Sequence, residues 1–180
     1  MLAVRKLAKA TAVLMVASLA VASTPKAKPL PRFEDFPVRE VYRGKPAAPK
    51  LKSRLARAFR TVIRKGASEG PNFAGHYTVV IWGCGISCAQ FAIVDASTGE
   101  TYDPPFEGIT WHDGAGFLKD TGLHFRLDSS LFVAEGCPEE KDCAARYYRW
   151  NGNRLVLIRT EVAERHPEPE PEPAAITVRP

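Results

Sequence analysis

Two cysteines near the middle of this 180-residue chain lie four positions apart, in the sequence W-G-C-G-I-S-C that runs from Trp82 to Cys88. Thiols at such short spacing serve redox exchange, metal binding, nucleophilic catalysis or disulfide formation. A thioredoxin-like centre needs C-x-x-C at the start of a helix, where the helix dipole lowers the thiol pKa. Here the spacing is C-x-x-x-C and the flanking residues favour β-strands, which argues against redox catalysis.

The sequence around Cys84 and Cys88 offers too few ligands for a zinc site. Zinc needs four ligands at about 2.0 to 2.3 Å, and Cys84 and Cys88 supply only two. His76 lies eight residues before Cys84, roughly 26 Å away if the strand between them is extended. Neither His112 nor His124 has a ligand-like spacing to the cysteines. We therefore predict no metal and no cofactor.

All four cysteines of the chain are predicted to form disulfides. If Gly85-Ile86-Ser87 is a three-residue hairpin loop, Cys84 and Cys88 face each other across its neck, within disulfide range. Cys137 and Cys143 enclose a polar loop and can close a second ring. A crossed pairing such as Cys84 with Cys143 stays open, since four cysteines allow three connectivities. An oxidising compartment favours the two local rings, each stabilising by roughly 2 kcal/mol.

The residues around the cysteines predict an antiparallel sheet. The β-branched and aromatic segments H-Y-T-V-V-I-W-G and C-A-Q-F-A-I-V-D flank the loop. Later, A-R-Y-Y-R-W and R-L-V-L-I-R-T-E-V surround the turn N-G-N and predict a hairpin. Because side chains alternate along a strand, one face is predicted to carry the core. That face holds Tyr77, Val79, Ile81, Ala89, Phe91 and Ile93.

An amphipathic helix is predicted over Lys50–Lys65. Its apolar residues recur at spacings of three and four, and its arginines recur on another face. Gly66 is the expected C-terminal stop. The helix is predicted to pack on the sheet rather than lie on a membrane. The fold class is therefore α+β, with one amphipathic helix packed on a disulfide-stapled antiparallel β-meander of about five to seven strands. The apolar positions are Leu51, Leu55, Phe59, Val62 and Ile63, and the arginines are Arg54, Arg57, Arg60 and Arg64.

The ends of the chain divide it into four predicted segments. Residues 1–22 have a basic start, a short apolar run and an A-x-A cleavage pattern, which together predict a signal peptide; an uncleaved membrane anchor is the alternative. Residues 23–49 form an irregular, basic, Pro-rich arm, which docks through its phenylalanines Phe33 and Phe36. Residues 50–163 form a single α+β domain, and residues 164–180 a disordered Pro/Glu tail. The expected location is the periplasm or the cell exterior.

The charge of the mature chain excludes a nucleic-acid partner. The whole chain has 25 basic and 20 acidic residues. Removing the three basic residues of the signal peptide leaves 22 against 20, or a net charge of +2. That excess is too small for non-specific nucleic-acid binding. The expected partner is an envelope protein or a small ligand. No membrane span remains after cleavage, and the basic arm offers a weak contact with an anionic surface.

The predicted binding surface consists of Trp82, Trp111, His112 and Asp113. The last three lie in T-W-H-D-G-A-G, a glycine-rich segment with an aromatic residue and a His–Asp pair. The alternative is a periplasmic hydrolase that uses His76 or the His112–Asp113 segment. No G-x-S-x-G or other nucleophile context accompanies these histidines, so no catalytic residue is assigned.

The segment G-P-N-F-A-G-H-Y-T-V-V-I-W-G-C-G-I-S-C resembles a group of small exported bacterial proteins. The D-A-S-T-G-E turn and the Y-Y-R-W-N-G-N-R-L-V-L-I segment are similar too, so the resemblance covers most of Phe33 to Arg159. It implies an envelope location and one domain. The group has no known activity, and the resemblance therefore assigns no catalytic residue. The expected function is a non-enzymatic binding or interaction domain of the cell envelope.

Overall fold

The computed structural model describes residues 28–111, 122–138 and 142–162. The predicted signal peptide and Pro/Glu tail lie outside these residues. Within them the chain forms a short 3-10 helix, two α-helices and eight β-strands. The helices are the 3-10 helix Phe33–Asp35, α1 (Arg54–Ala58) and α2 (Arg60–Ala67). The strands are β1 (Tyr77–Gly85), β2 (Cys88–Asp95), β3 (Thr101–Tyr102), β4 (Ile109–Thr110), β5 (Leu123–Phe125), β6 (Leu131–Pro138), β7 (Ala144–Trp150) and β8 (Leu155–Val162).

The strands form one antiparallel sheet in the order β1-β2-β4-β6-β7-β8. The short strand β3 pairs with β2, and β5 pairs with β6. The antiparallel prediction is confirmed, and so is the hairpin around N-G-N, which joins β7 to β8. The described residues hold eight strands rather than five to seven. Two of the strands, β3 and β4, are only two residues long, too short to show an alternating sequence pattern.

The two faces of β1 and β2 carry the residues that their alternation predicts. Tyr77 and Val79 of β1 and Phe91 and Ile93 of β2 belong to the main hydrophobic core. The opposite face presents Val80, Trp82, Ala92 and Val94 to the helices. This agreement follows from register, because facing residues such as Val79 and Ile93 pair directly and lie on one side of the sheet.

The helical region differs from the prediction at both ends. The first helix begins at Arg54, where the Ser53 side chain accepts a hydrogen bond from the Ala56 backbone N–H at 2.9 Å. A break at Phe59 separates α1 from α2. Gly66 does not end the helix, which continues to Ala67. A Cβ added at Gly66 would lie 2.6 Å from a methyl carbon of Val80, so this glycine lets the helix approach the sheet.

Residues 33–50, here called the strap, run beside the connections between strands, from the chain before β6 to the turn after β2. Phe33 and Phe36 pack against a cluster that includes Leu131, Val133 and Tyr147. The strap also donates four backbone N–H groups to carbonyl oxygens of residues 75–128, at 2.7 to 3.0 Å. They join Val38 to Asp128, Tyr42 to Gly75, Ala47 to Ala96, and Lys50 to Gly99.

Gly75, in the N-F-A-G-H-Y segment, anchors the strap. Its backbone has φ of +81°, a conformation that glycine adopts without a steric penalty. A Cβ at this position would overlap the backbone oxygen of Glu40 in the strap. Its N–H also donates to the backbone oxygen of Leu127 at 2.7 Å. The glycine of this segment therefore has a structural role, since it joins the strap, the start of β1 and the chain before β6.

Candidate functional site

The W-G-C-G-I-S-C hairpin contains the predicted disulfide between Cys84 and Cys88, whose Cα atoms are 5.2 Å apart. The loop is one residue shorter than predicted. Gly85 pairs with Cys88, which leaves only Ile86 and Ser87 in the turn, and the register shifts between Gly83 and Gly85. Cys84 thus lies in a β-bulge. The bulge admits one extra residue on β1 and turns its side chain toward Cys88.

The second predicted disulfide, between Cys137 and Cys143, is also present. Both disulfides adjoin the two-residue strand β4, because Thr110 pairs with Cys88 on one side and with Cys137 on the other. The Thr110 hydroxyl donates to the backbone oxygen of Cys137 at 3.0 Å. The described residues contain no free cysteine. The local connectivity is therefore the one adopted, and a crossed pairing is not.

A groove of about 670 Å³ opens beside the first disulfide. Helix α1 forms one wall and the segment between β3 and β4 forms another, with Gln90 of β2 between them. Gly108, which follows the lining residue Glu107, lies beside the disulfide, since a Cβ added there would lie 3.5 Å from Cys84 Sγ. The groove is lined by Arg54, Leu55, Ala58, Phe59, Gln90, Asp103, Pro104, Pro105, Phe106 and Glu107.

The groove combines charged and apolar groups. Arg54 contributes a cation, and Asp103 and Glu107 contribute two carboxylates. Asp103 accepts a hydrogen bond from the Ser53 hydroxyl at 2.7 Å, which fixes this carboxylate beside the start of α1. Leu55, Phe59 and Phe106 are the large apolar groups of the lining. Such a groove can bind a compact ligand that has an apolar body and charges of both signs.

Trp82 supports the groove from behind. It is buried, and its ring stacks on Phe59 at a centroid distance of 4.7 Å. Its indole N–H donates to the Gln90 side-chain oxygen at 3.0 Å. Both partners line the groove, while Trp82 itself does not. The tryptophan therefore orients two groove side chains rather than presenting a binding surface of its own.

Of the other predicted surface residues, the structure describes Trp111, and it does not join Trp82. Trp111 is partly buried against the main core, whereas Trp82 packs under the helices on the opposite face of the sheet. The backbone N–H of Trp111 donates to Ser87 of the hairpin at 3.1 Å. His112 and Asp113 lie outside the described residues.

His76 and Asp95 are neighbours at the end of β2. Three donors converge on Asp95 Oδ1: the backbone N–H groups of Ser97 and Thr98 and the Ser97 hydroxyl. Burial disfavours the charged carboxylate, but the hydrogen bonds from Ser97 and Thr98 and the nearby His76 lower the pKa of Asp95 below its ordinary value. The Ser97 hydroxyl donates to the carboxylate directly, without a histidine between them. This is a turn-stabilising arrangement and not a nucleophile relay.

No cluster of three His, Cys, Asp or Glu side chains that could hold a metal ion occurs in residues 28–111, 122–138 and 142–162. None of the helices in these segments is long and apolar enough to cross a membrane. Neither a protein-family model nor a curated protein nor a solved structure matches this chain.

Sequence reasoning missed most of the groove. The segment D-P-P-F-E-G, residues 103–108, carries two adjacent prolines between two acids. Adjacent prolines stiffen a connection and hold neighbouring side chains in place, so this segment was the available signal. Arg54, Phe59 and Gln90 gave no such signal, because each fits an ordinary helix or strand pattern.

Proposed function

We propose that this chain is an exported, non-enzymatic binding domain of the cell envelope, and that the groove beside the Cys84–Cys88 hairpin receives its ligand. The groove carries the proposal, because its volume of about 670 Å³ falls within the range of small-ligand sites, roughly 300 to 1,000 Å³. The two disulfides support a periplasmic or secreted location, since such bonds persist in oxidising compartments.

The charges of the groove favour a zwitterion, such as a short peptide. A ligand ammonium group finds carboxylates at Asp103 and Glu107, and a ligand carboxylate finds the guanidinium of Arg54. Phe59, Phe106 and the two prolines offer apolar contact to a side chain between these charges. Because Asp103 is already bonded to Ser53, Glu107 is the carboxylate expected to respond most to an incoming ammonium group.

The test is a titration of the ¹⁵N-labelled protein with a panel of dipeptides and free amino acids. Binding is monitored through the amide chemical shifts. We expect shifts at Gln90 and at residues 103–107, together with a change in Trp82 fluorescence through Phe59 and Gln90. Glu107→Gln should weaken binding about tenfold, as expected for the loss of one charge-assisted contact.

The matched control is Glu40→Gln, which removes an exposed carboxylate of the strap, away from the groove lining. It should leave the affinity unchanged. Equal losses from Glu107→Gln and Glu40→Gln would show that only net charge matters and would overturn the assignment. If no member of the panel caused amide shifts, the proposal of a zwitterionic ligand would be overturned.

A further inference from the structure

The exposed side of α1 and α2 carries a concentrated positive charge. Five basic side chains lie between residues 54 and 65, and the first acidic residue after them is Glu69. All five are exposed. These residues, here called the cationic face, are Arg54, Arg57, Arg60, Arg64 and Lys65.

The charges of this face are not neutralised within the described parts of the chain. None of the five makes an ion pair there, although Arg57 donates to the backbone oxygen of Lys52. By contrast, Lys50 and Lys52, just before α1, both pair with Glu100. Glu69 follows α2 in the sequence, and Asp103 and Glu107 line the same groove as Arg54.

Helix stability explains only part of this arrangement, since Arg57, Arg64 and Lys65 lie in the last turns of α1 and α2, where the helix dipole favours a cation. Like charges four residues apart, as at Arg60 and Arg64, repel each other and destabilise a helix slightly. Arg54 stands at the start of α1, where the positive end of the helix dipole disfavours a cation. The opposite side of the same helices has a partner, since Ala56, Ile63 and Ala67 are buried against β1 and β2. The cationic side is the one left without a partner.

We propose that the cationic face adsorbs to an anionic phospholipid bilayer. The face extends over both α1 and α2, and five exposed cations spread over two helices are the complement of an extended anionic surface rather than of a small molecule. Four of its five cations are arginines, whose planar forks bind phosphodiesters in a bidentate manner. Its other exposed residues include Ala58, Thr61 and Ser68 but no aromatic ring, so it lacks the stacking groups that single-stranded nucleic acid requires.

This contact is electrostatic, because the apolar residues of both helices face the sheet. Each Lys or Arg near an anionic membrane contributes about a fivefold gain in affinity. Loss of two arginines should therefore weaken adsorption roughly 25-fold. The contact should also weaken when the salt concentration rises from 0.05 M to 0.3 M, as the screening length shortens.

The test measures co-sedimentation of the full chain with vesicles of phosphatidylglycerol and phosphatidylcholine, and with phosphatidylcholine alone. The variant is Arg60→Gln with Arg64→Gln, since neither residue lines the groove. The matched control is Arg149→Gln with Arg154→Gln, two exposed arginines of the β7–β8 hairpin. Lysine at positions 60 and 64 should restore most of the binding, and thermal melting by circular dichroism checks the fold of each variant.

We expect adsorption to anionic vesicles only, weakened roughly 25-fold in the helix variant and less than about threefold in the control. Equal losses in the two variants would overturn the proposal, because net charge alone would then explain binding. Equal binding to neutral vesicles would overturn it too. Binding to heparin or DNA without binding to anionic vesicles would assign the face to a free polyanion instead of a membrane.

Discussion

Asp95 ends β2 and organises the D-A-S-T-G-E turn that follows. Its side chain accepts three hydrogen bonds from Ser97 and Thr98, and the backbone N–H of Gly99 donates to its carbonyl at 2.8 Å. The same turn also binds the strap, since the backbone N–H of Lys50 donates to the backbone oxygen of Gly99. The Asp95 carboxylate therefore stabilises the β2–β3 connection and, through it, the end of the strap that leads into α1.

This carboxylate makes folding stability depend on pH. Its pKa is lower in the folded chain than its ordinary value of 3.8, so the unfolded chain binds the proton more readily. The stabilisation is fully present above about pH 4 and is lost as the pH falls through the lowered folded pKa.

Asp95→Asn should therefore reduce the free energy of unfolding at pH 7 by about 1 kcal/mol. The difference from the unmutated chain should shrink at pH 3, because the unfolded chain, whose carboxylate has the ordinary pKa of 3.8, binds the proton by then. Urea unfolding at both pH values measures this difference in unfolding free energy. Glu69→Gln, at an exposed carboxylate, is the control. A difference that stays constant between pH 7 and pH 3 would contradict the role assigned to the charge.

At the scale of elements, β4 connects the two halves of the sheet. It is two residues long and pairs with β2 on one side and β6 on the other. Such a short strand contributes few backbone hydrogen bonds of its own. The disulfides stand on either side of it, at Cys88 and Cys137, and Gly136 allows β6 to approach closely, since a Cβ there would overlap the backbone oxygen of Thr110.

Removal of the Cys84–Cys88 disulfide by alanine at both positions should cost about 2 kcal/mol of unfolding free energy, and so should removal of Cys137–Cys143. Because both flank β4, the combined loss should exceed the sum of the separate losses by at least about 0.5 kcal/mol. Urea unfolding of the three variants completes this cycle. Additive losses would mean that the two rings act independently of β4.

At the scale of the whole molecule, the sheet curls so that its two halves share one aromatic core. Phe91 of β2 stacks on Phe132 of β6 at 5.0 Å between ring centroids. Tyr77 of β1 contacts Trp150 of β7 at 4.9 Å. Phe73, which precedes β1, touches both Phe132 and Trp150. These contacts join segments far apart in sequence, so neither half keeps a complete core alone.

Phe132→Ala should destabilise the fold by about 3 to 5 kcal/mol, through lost burial and the cavity left among the aromatic rings. Phe132→Leu should cost less, because it retains more of the volume. Leu157→Ala, at a β8 position that is half exposed, serves as the control and should cost under about 1 kcal/mol. Thermal unfolding measures the melting temperatures of the three variants. Similar melting temperatures for all three would contradict a shared core.

The sequence alone determined the features that depend on near neighbours. The disulfides close rings between cysteines four and six residues apart, so few pairings compete with them. The core face of β1 and β2 follows from alternation along each strand, and the β7–β8 hairpin follows from its turn. Each of these depends on residues close together in the chain, whose geometry the local sequence restricts.

The places where these elements meet depend on the folded arrangement of the whole domain. The groove joins Arg54, Gln90 and Glu107, which come from a helix, a strand and a connecting segment. Trp82 and Trp111 pack on opposite faces of the sheet. Gly66, an expected helix stop, instead lets the helix approach Val80 of β1. These outcomes depend on long-range packing of many side chains at once, and the alternation of residues along single elements does not encode that packing.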